Sequence, residues 1–226
     1  MNPAAHSSLS FIETWSSFGY SLVVVAVIAM AALLFSSYVK IITVLAIARA
    51  GIGLQSLPSA FVTTGLALAL SLFVMAPTAL RATEAIDLRL RSVGGTADDG
   101  ARAAALAAGF EEWKKFLVSH TREEDLQRFR SIEVDKGGRE AAVSGEPEWR
   151  VLLPAFLVSE LRAAFATGIT VFLPFLVIDL LVANVLAVVG LISVSPLLVS
   201  LPFKLLLFVL VDGWALITTN LVASYL

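Results

Sequence analysis

Residues 163–192 read AAFATGITVFLPFLVIDLLVANVLAVVGLI, a long apolar run interrupted by one charge, Asp179. About 20 apolar residues suffice for a helix to cross the ~30 Å hydrocarbon core of a bilayer, and this run is longer. An ionised carboxylate facing lipid is expensive, so such groups survive where they face protein or a water-filled path. Working outward, the tract 151–226 also carries Glu160, Arg162, Lys204 and Asp212. Charges at several depths of one apolar tract argue against a simple anchor. They point to a buried assembly or a conduit.

The whole chain fits that class. Its 226 residues are 58% hydrophobic and 15% charged, with a mean hydropathy of +0.87. Soluble domains are roughly 45–50% apolar and about 25% charged. A net charge of −2 gives no reason to expect a nucleic-acid partner, and the absence of cysteine excludes disulfides, thiolate metal sites and a cysteine nucleophile.

Charge is unevenly distributed. Residues 81–150 hold 12 of the 16 basic and 14 of the 18 acidic residues, and the flanks are membrane-like. The expected organisation is a tail with a first hydrophobic helix pair (1–80), a soluble helical domain (81–150) and a C-terminal hydrophobic hairpin with buried charges (151–226). Four apolar runs stand out, at 18–35, 60–80, 163–192 and 205–226. Pro174 predicts a kink or break near Leu173. The tail before the first run has no basic residue but has Glu13, so 18–35 reads as a retained helix and not as a signal peptide. Lys40 and Arg49 lie between the first two runs and Lys204 between the last two. The positive-inside rule therefore predicts both short connections in the cytoplasm and the 81–150 domain in the periplasm.

Within 81–150, Phe110, Trp113 and Leu117 share a helical face, and Glu111–Lys115 and Glu124–Arg128 have i, i+4 spacing. Thr121 to Glu124 has the spacing of a capping box. The segments 93–100 and 135–147 read as loops. A solvated helical hairpin follows.

Catalytic patterns are missing. His6 and His120 stand far apart, no phosphate-binding glycine loop or nucleophile elbow occurs, and the loop carboxylates alternate with bases as on solvated faces. The chain does not read as an enzyme, and no cofactor or metal is implied.

The isolated charges carry more information. Lys40 and Arg49, nine residues apart, would point to opposite faces of a continuous helix; they suit topology determination or the anchoring of a cytoplasmic bend. Glu160 and Arg162 differ by two positions and cannot pair side by side, so each needs another partner, with a neighbouring subunit as one source. Asp179 is either paired or kept neutral by burial. Asp212 poses the same question; Lys204, eight residues upstream, reaches it only if the helix bends. Inter-subunit ion pairs are the preferred reading for this set, a proton relay the alternative. The segment 190–196, GLISVSP, is a hairpin turn or a pore-lining constriction, since irregular backbone in a membrane protein must be covered or line water.

Several stretches resemble one family: LLPAFLVSEL (152–161), FLPFLVIDL (172–180), SLPFKLLLFVLVDGW (200–214), TREEDL (121–126) and FVMAP (73–77). They are similar to the SctR/FliP family of type III secretion export-gate proteins, over about residues 30–226. The resemblance implies an all-α integral membrane protein of the bacterial inner membrane, with about four hydrophobic segments in hairpins and a periplasmic helical domain. It implies a homopentamer joined by SctS/FliQ-type and SctT/FliR-type subunits. SctU/FlhB-type and SctV/FlhA-type export components, unfolded secreted proteins and membrane lipid are the further partners. Substrates would pass along the pentamer axis.

Many members carry methionines after the glycine equivalent to Gly190. Here Leu191, Ile192 and Ser193 occupy those positions, and they are the expected constriction, because apolar side chains can dewet a narrow pore. The family often has Gln-x-Pro-Pro-Asn where residues 55–59 read QSLPS. Flagellar members commonly carry a signal peptide, which favours an injectisome component here. Glu160, Arg162, Asp179, Lys204 and Asp212 become expected assembly or buried charge contacts, and Lys40 and Arg49 topology or assembly residues. A proton-coupled small-solute transporter using the buried carboxylates is the rival reading; a scaffold without a conducting lumen is another.

Overall fold

The computed structural model describes residues 3–53, 60–92, 99–135, 147–191 and 193–226. These form helices α1 (Pro3–Leu34), α2 (Tyr38–Ile52), α3 (Ala60–Ser92), α4 (Asp99–Ser119), α5 (Glu123–Asp135), α6 (Trp149–Val189), α7 (Pro196–Leu210) and α8 (Gly213–Ala223). Among the described residues there is no strand. Helices α3 and α6 are each long and apolar enough to cross a membrane. The pairs α1–α2 and α7–α8 qualify only as bent units, at 71° and 59°. The chain is thus an all-α membrane protein with two to four crossings.

Helix α2 is the centre of the fold. The connection expected between the first two spans is instead this apolar helix, and its stripe of Ile41, Val44, Leu45, Ala48 and Ile52 is buried. Ser36 and Ser37 break the run ahead of it and look like a loop in sequence. In the structure Ser36 Oγ accepts from the Tyr38 amide at 3.2 Å and donates to the Leu33 carbonyl at 2.9 Å. One serine therefore serves the end of α1 and the start of α2, satisfying backbone groups that a bend leaves without helical partners. Ser37 donates to Ser71 of α3 at 3.1 Å.

Around α2 are packed Ala67 of α3, Ala164 and Phe175 of α6, Phe208 of α7, and Ile217 and Leu221 of α8. The α2–α6 contact is close: a Cβ at Gly168 would collide with Ile47. A second core joins Met75 of α3, Phe116 and Leu117 of α4, Leu126 of α5, and Val151, Leu152, Ala155 and Phe156 of α6. Tyr225, just past α8, packs against both.

The charged segment 81–150 is therefore not a separate layer. Its first residues are the C-terminal part of α3, α4 lies along α3, and α5 lies along α6. Most of 93–100 and 135–147, the expected loops, lies outside the described residues, as do residues 54–59 with the QSLPS motif; residues 99–100 belong to α4 and Asp135 to α5. Lys115 pairs with Glu112 at 2.5 Å and not with Glu111. Arg128 approaches Asp125 at 3.6 Å and not Glu124. Both are i, i+3 neighbours, the alternative spacing on a helix surface. Thr121 does not cap α5. Its hydroxyl donates back to the Leu117 carbonyl at 2.7 Å, and the α5 turn starts from the Arg122 carbonyl.

Two long helices differ from their expected limits. Helix α6 runs 41 residues from Trp149, continuous through Pro154 and Pro174. Of the kink or break expected near Leu173, the break does not occur, because one lost amide donor is tolerable where neighbouring helices hold the segment. At 1.5 Å per residue α6 is about 60 Å long, twice the hydrocarbon thickness. The expected last span, 205–226, is broken at 211–212 into α7 and α8.

Candidate functional site

Four of the five charges of the apolar tract fall in three clusters, each joining α6 to a different element. Near the N-terminal third of α6, Ser159 and Arg162 stand three apart and so share a face. Both reach Asp125 in the first turn of α5: Ser159 Oγ donates at 3.0 Å and the Arg162 guanidinium at 3.1 Å. The Arg122 amide donates to Ser159 Oγ at 3.0 Å. The Asp125 side chain is only 1% exposed. A carboxylate so buried needs charge-assisted donors on both oxygens, and α6 supplies them.

One residue away, Glu160 faces elsewhere. It is buried and accepts a hydrogen bond from the Tyr225 hydroxyl. The Lys40 ammonium, also buried, lies 4.3 Å from the centre of the Tyr225 ring. His120, just past α4, and Phe116 of α4 complete the ring's surroundings, at centroid distances of 5.1 and 6.2 Å. Burial, and next the Glu160 carboxylate, push the Tyr225 phenol far above its usual range. The hydroxyl thus remains a donor at any physiological pH. The end of the chain is fastened onto α2, α4 and α6 together.

The third cluster lies further along α6. Asp179 accepts from Lys204 at 2.6 Å and from Ser200 Oγ at 2.5 Å. Lys204 is 2% exposed and the Asp179 side chain 37%. Ser200 and Lys204 are four apart on α7, so one face carries both donors. The partners expected on neighbouring subunits are thus supplied for Glu160, Arg162, Asp179 and Lys204 by the same chain, because the folded hairpins bring distant segments alongside α6.

Asp212 joins none of these clusters. It is exposed at the α7–α8 break, with φ +47. Its carbonyl accepts from the Leu216 amide at 3.0 Å, starting α8. Arg49 lies half-buried in the last turn of α2, where a cation complements the helix dipole. It lines a cavity of about 280 Å³ with Ile42, Ala46 and Thr63. Lys40 and Arg49 thus sit on one continuous helix with different surroundings.

The α6–α7 tip is built by Gly190. Its φ is +80, and its amide donates to the Ala187 carbonyl at 3.1 Å while the Leu191 amide donates to Leu186 at 3.0 Å. This is a Schellman stop, which a glycine adopts without penalty. Leu191 is 46% exposed and Ser193 is exposed. Ile192 lies outside the described residues. Nothing stands within 4 Å of a Cβ built at Gly190. Gly190, Leu191, Ser193 and Val194 are exposed at this tip.

Among the described residues no three of His, Asp and Glu converge as metal ligands would. Asp125, Ser159, Ser200 and Tyr225 are the members that sequence reasoning missed. Asp179 and Lys204 had a usable signal: they are nearly equidistant from residues 191–192, so a hairpin there sets them side by side. Nothing local marks Tyr225.

The FliP family model matches residues 21–221. A Xanthomonas campestris pv. glycines protein named pathogenicity-related ORF2 is 40% identical over 90% of this chain and 93% of its own length. The flagellar biosynthetic protein FliP of Rhizobium meliloti is 36% identical over 95% and 86%. The hypersensitivity response secretion protein HrcR of Ralstonia nicotianae is 37% identical over 90% and 94%.

Proposed function

Because the chain belongs to the FliP family, we propose that it is a pore-forming core subunit of a type III secretion export gate, conducting unfolded proteins across the bacterial inner membrane. It is a non-enzymatic export-apparatus component carried by apolar helices. Several copies, with SctS/FliQ-type and SctT/FliR-type subunits, would surround an axis, with the 81–150 segment towards the periplasm. Of the two settings in which relatives are named, the injectisome is preferred, supported by the relative with a pathogenicity name.

The observation that carries the pore reading is the exposed α6–α7 tip. A turn at which Gly190, Leu191 and Ser193 are exposed is what a constriction shared by several copies requires. Leu191, Ile192 and Ser193 would meet their symmetry mates there and exclude water until a substrate enters. The buried charges act in this reading as clamps that hold the hairpin rigid beneath the tip. Each buried carboxylate already has donors within the chain, so nothing favours solute transport.

The test is conductance. The purified complex is placed in planar bilayers, with Leu191→Gly and Ser193→Gly combined in a second preparation. A narrowed apolar collar predicts low conductance for the natural sequence and clearly raised conductance for the variant. Equal conductance would leave the chain as a scaffold. A deletion strain that loses motility while keeping secretion of non-flagellar proteins would reverse the injectisome preference.

A further inference from the structure

A cavity of about 930 Å³ opens between α3, α4 and the end of α8, and none of the roles above uses it. Its lining includes Phe73, Val74 and Leu80 of α3 together with Arg81, Glu112, Lys115 and His120. We propose that it holds an anionic phospholipid, acyl chains against α3 and phosphate head at Arg81.

Depth is the first argument. Helix α3 has no charged residue from Ala60 to Leu80, and Arg81 is its first. That run measures about 30 Å, one hydrocarbon thickness. Arg81 therefore stands where headgroups lie, with the apolar wall on the hydrocarbon side of it. Access is the second argument. Phe73 and Leu80 are 67% and 64% exposed, so that wall is open to acyl chains entering sideways.

Charge is the third. The Lys115 ammonium is already matched by Glu112 at 2.5 Å. Among the described residues the Arg81 guanidinium donates only to Thr78 Oγ1, at 3.4 Å, and joins no ion pair. His120 Nδ1 lies 2.8 Å from the Phe116 carbonyl and 3.0 Å from Ser119 Oγ, so that nitrogen is engaged within the chain. The site thus has one uncompensated guanidinium above an apolar wall. A phosphodiester on two acyl chains complements it. A zwitterionic head brings its own cation and gains less.

The proposal rests on the membrane fold and not on the export reading, and one native mass-spectrometry experiment separates them. The full chain, alone and coexpressed with its genomic neighbours, is mixed in detergent with phosphatidylglycerol, with phosphatidylcholine or with glycerol 3-phosphate. Phosphatidylglycerol should be retained over phosphatidylcholine by about fivefold, and Arg81→Gln should abolish that preference. Arg91→Gln, ten residues along the same helix, serves as the control and should keep it. Equal retention of the two lipids, an unchanged Arg81→Gln, or retention of glycerol 3-phosphate as strong as that of the lipid would overturn the proposal. So would lipid that leaves when subunits assemble, which would make the cavity a subunit interface. Oligomer masses in the same spectra report on the export reading independently.

Discussion

Lys204 is a buried ammonium in an apolar helix, with a single carboxylate in reach. Its ion pair with Asp179 cannot be credited with large net stability, because desolvation offsets much of the attraction. Removing the carboxylate is another matter, since Lys204 is then left buried and uncompensated. Asp179→Leu should destabilise the chain by about 3 kcal/mol, and adding Lys204→Met should recover most of that loss. Unfolding in graded sodium dodecyl sulfate, followed by tryptophan fluorescence, measures both. If the pair only clamps α6 to α7, export should return with the double variant. If the double variant is stable and assembled but silent, the carboxylate has a role beyond clamping. The Asp125 and Glu160 clusters follow the same logic, but with three or more members each they are less easily replaced by apolar groups.

At the scale of elements, the α7–α8 break is the feature with an identifiable local cause. Asp212 is the only non-glycine residue with positive φ among the described residues. The next residue must be small, since a Cβ at Gly213 would collide with Phe208. Left-handed backbone costs a side chain about 1–2 kcal/mol, less for aspartate and asparagine and more for β-branched residues. Asp212→Asn should therefore leave stability unchanged, Asp212→Gly should raise it slightly, and Asp212→Val should lower it by about 1–2 kcal/mol. Thermal melts of the three variants in detergent check the order. A stability loss in Asp212→Asn as large as in Asp212→Val would show that the charge, and not the backbone, sets the break. The sequence carried part of this picture. The partition of charge and the apolar runs identified helices, and Gly190 marked the hairpin. Helix α2 was hidden because Ser36, Ser37 and Lys40 interrupt its run with groups whose partners lie on other helices. The break at Asp212 was hidden because neither Asp212 nor Gly213 disrupts a window of mean hydropathy. Asp125 was visible only as one acid among several, as its burial depends on α5 docking to α6.

The whole molecule leaves apolar surface that its own fold does not cover. Exposed apolar side chains on α6 extend from Val158 to Val188, about 45 Å along the axis. A tilt of 20° reduces that height to about 42 Å and a tilt of 40° to about 34 Å, both above the ~30 Å that lipid tails can cover. The excess requires other protein, and the three charge clusters explain why it is apolar surface that remains. Nearly every charge of the tract is already matched within the chain, so what α6 offers a neighbour is packing area and not unpaired ions. This changes what should break assembly. Neutralising a clamp should act indirectly, through stability. A bulky polar residue on the exposed stripe, such as Phe165→Gln or Ile169→Gln, should act directly, leaving the monomer's unfolding midpoint nearly unchanged while removing the oligomer. Native mass spectrometry of the chain coexpressed with its genomic neighbours reads the outcome. The proposed gate predicts a pentamer that recruits small hydrophobic subunits, and a shift to monomer in the stripe variants. A natural chain that stays monomeric in both settings would mean that lipid alone covers α6, which the length of its apolar face does not allow without a tilt beyond 40°.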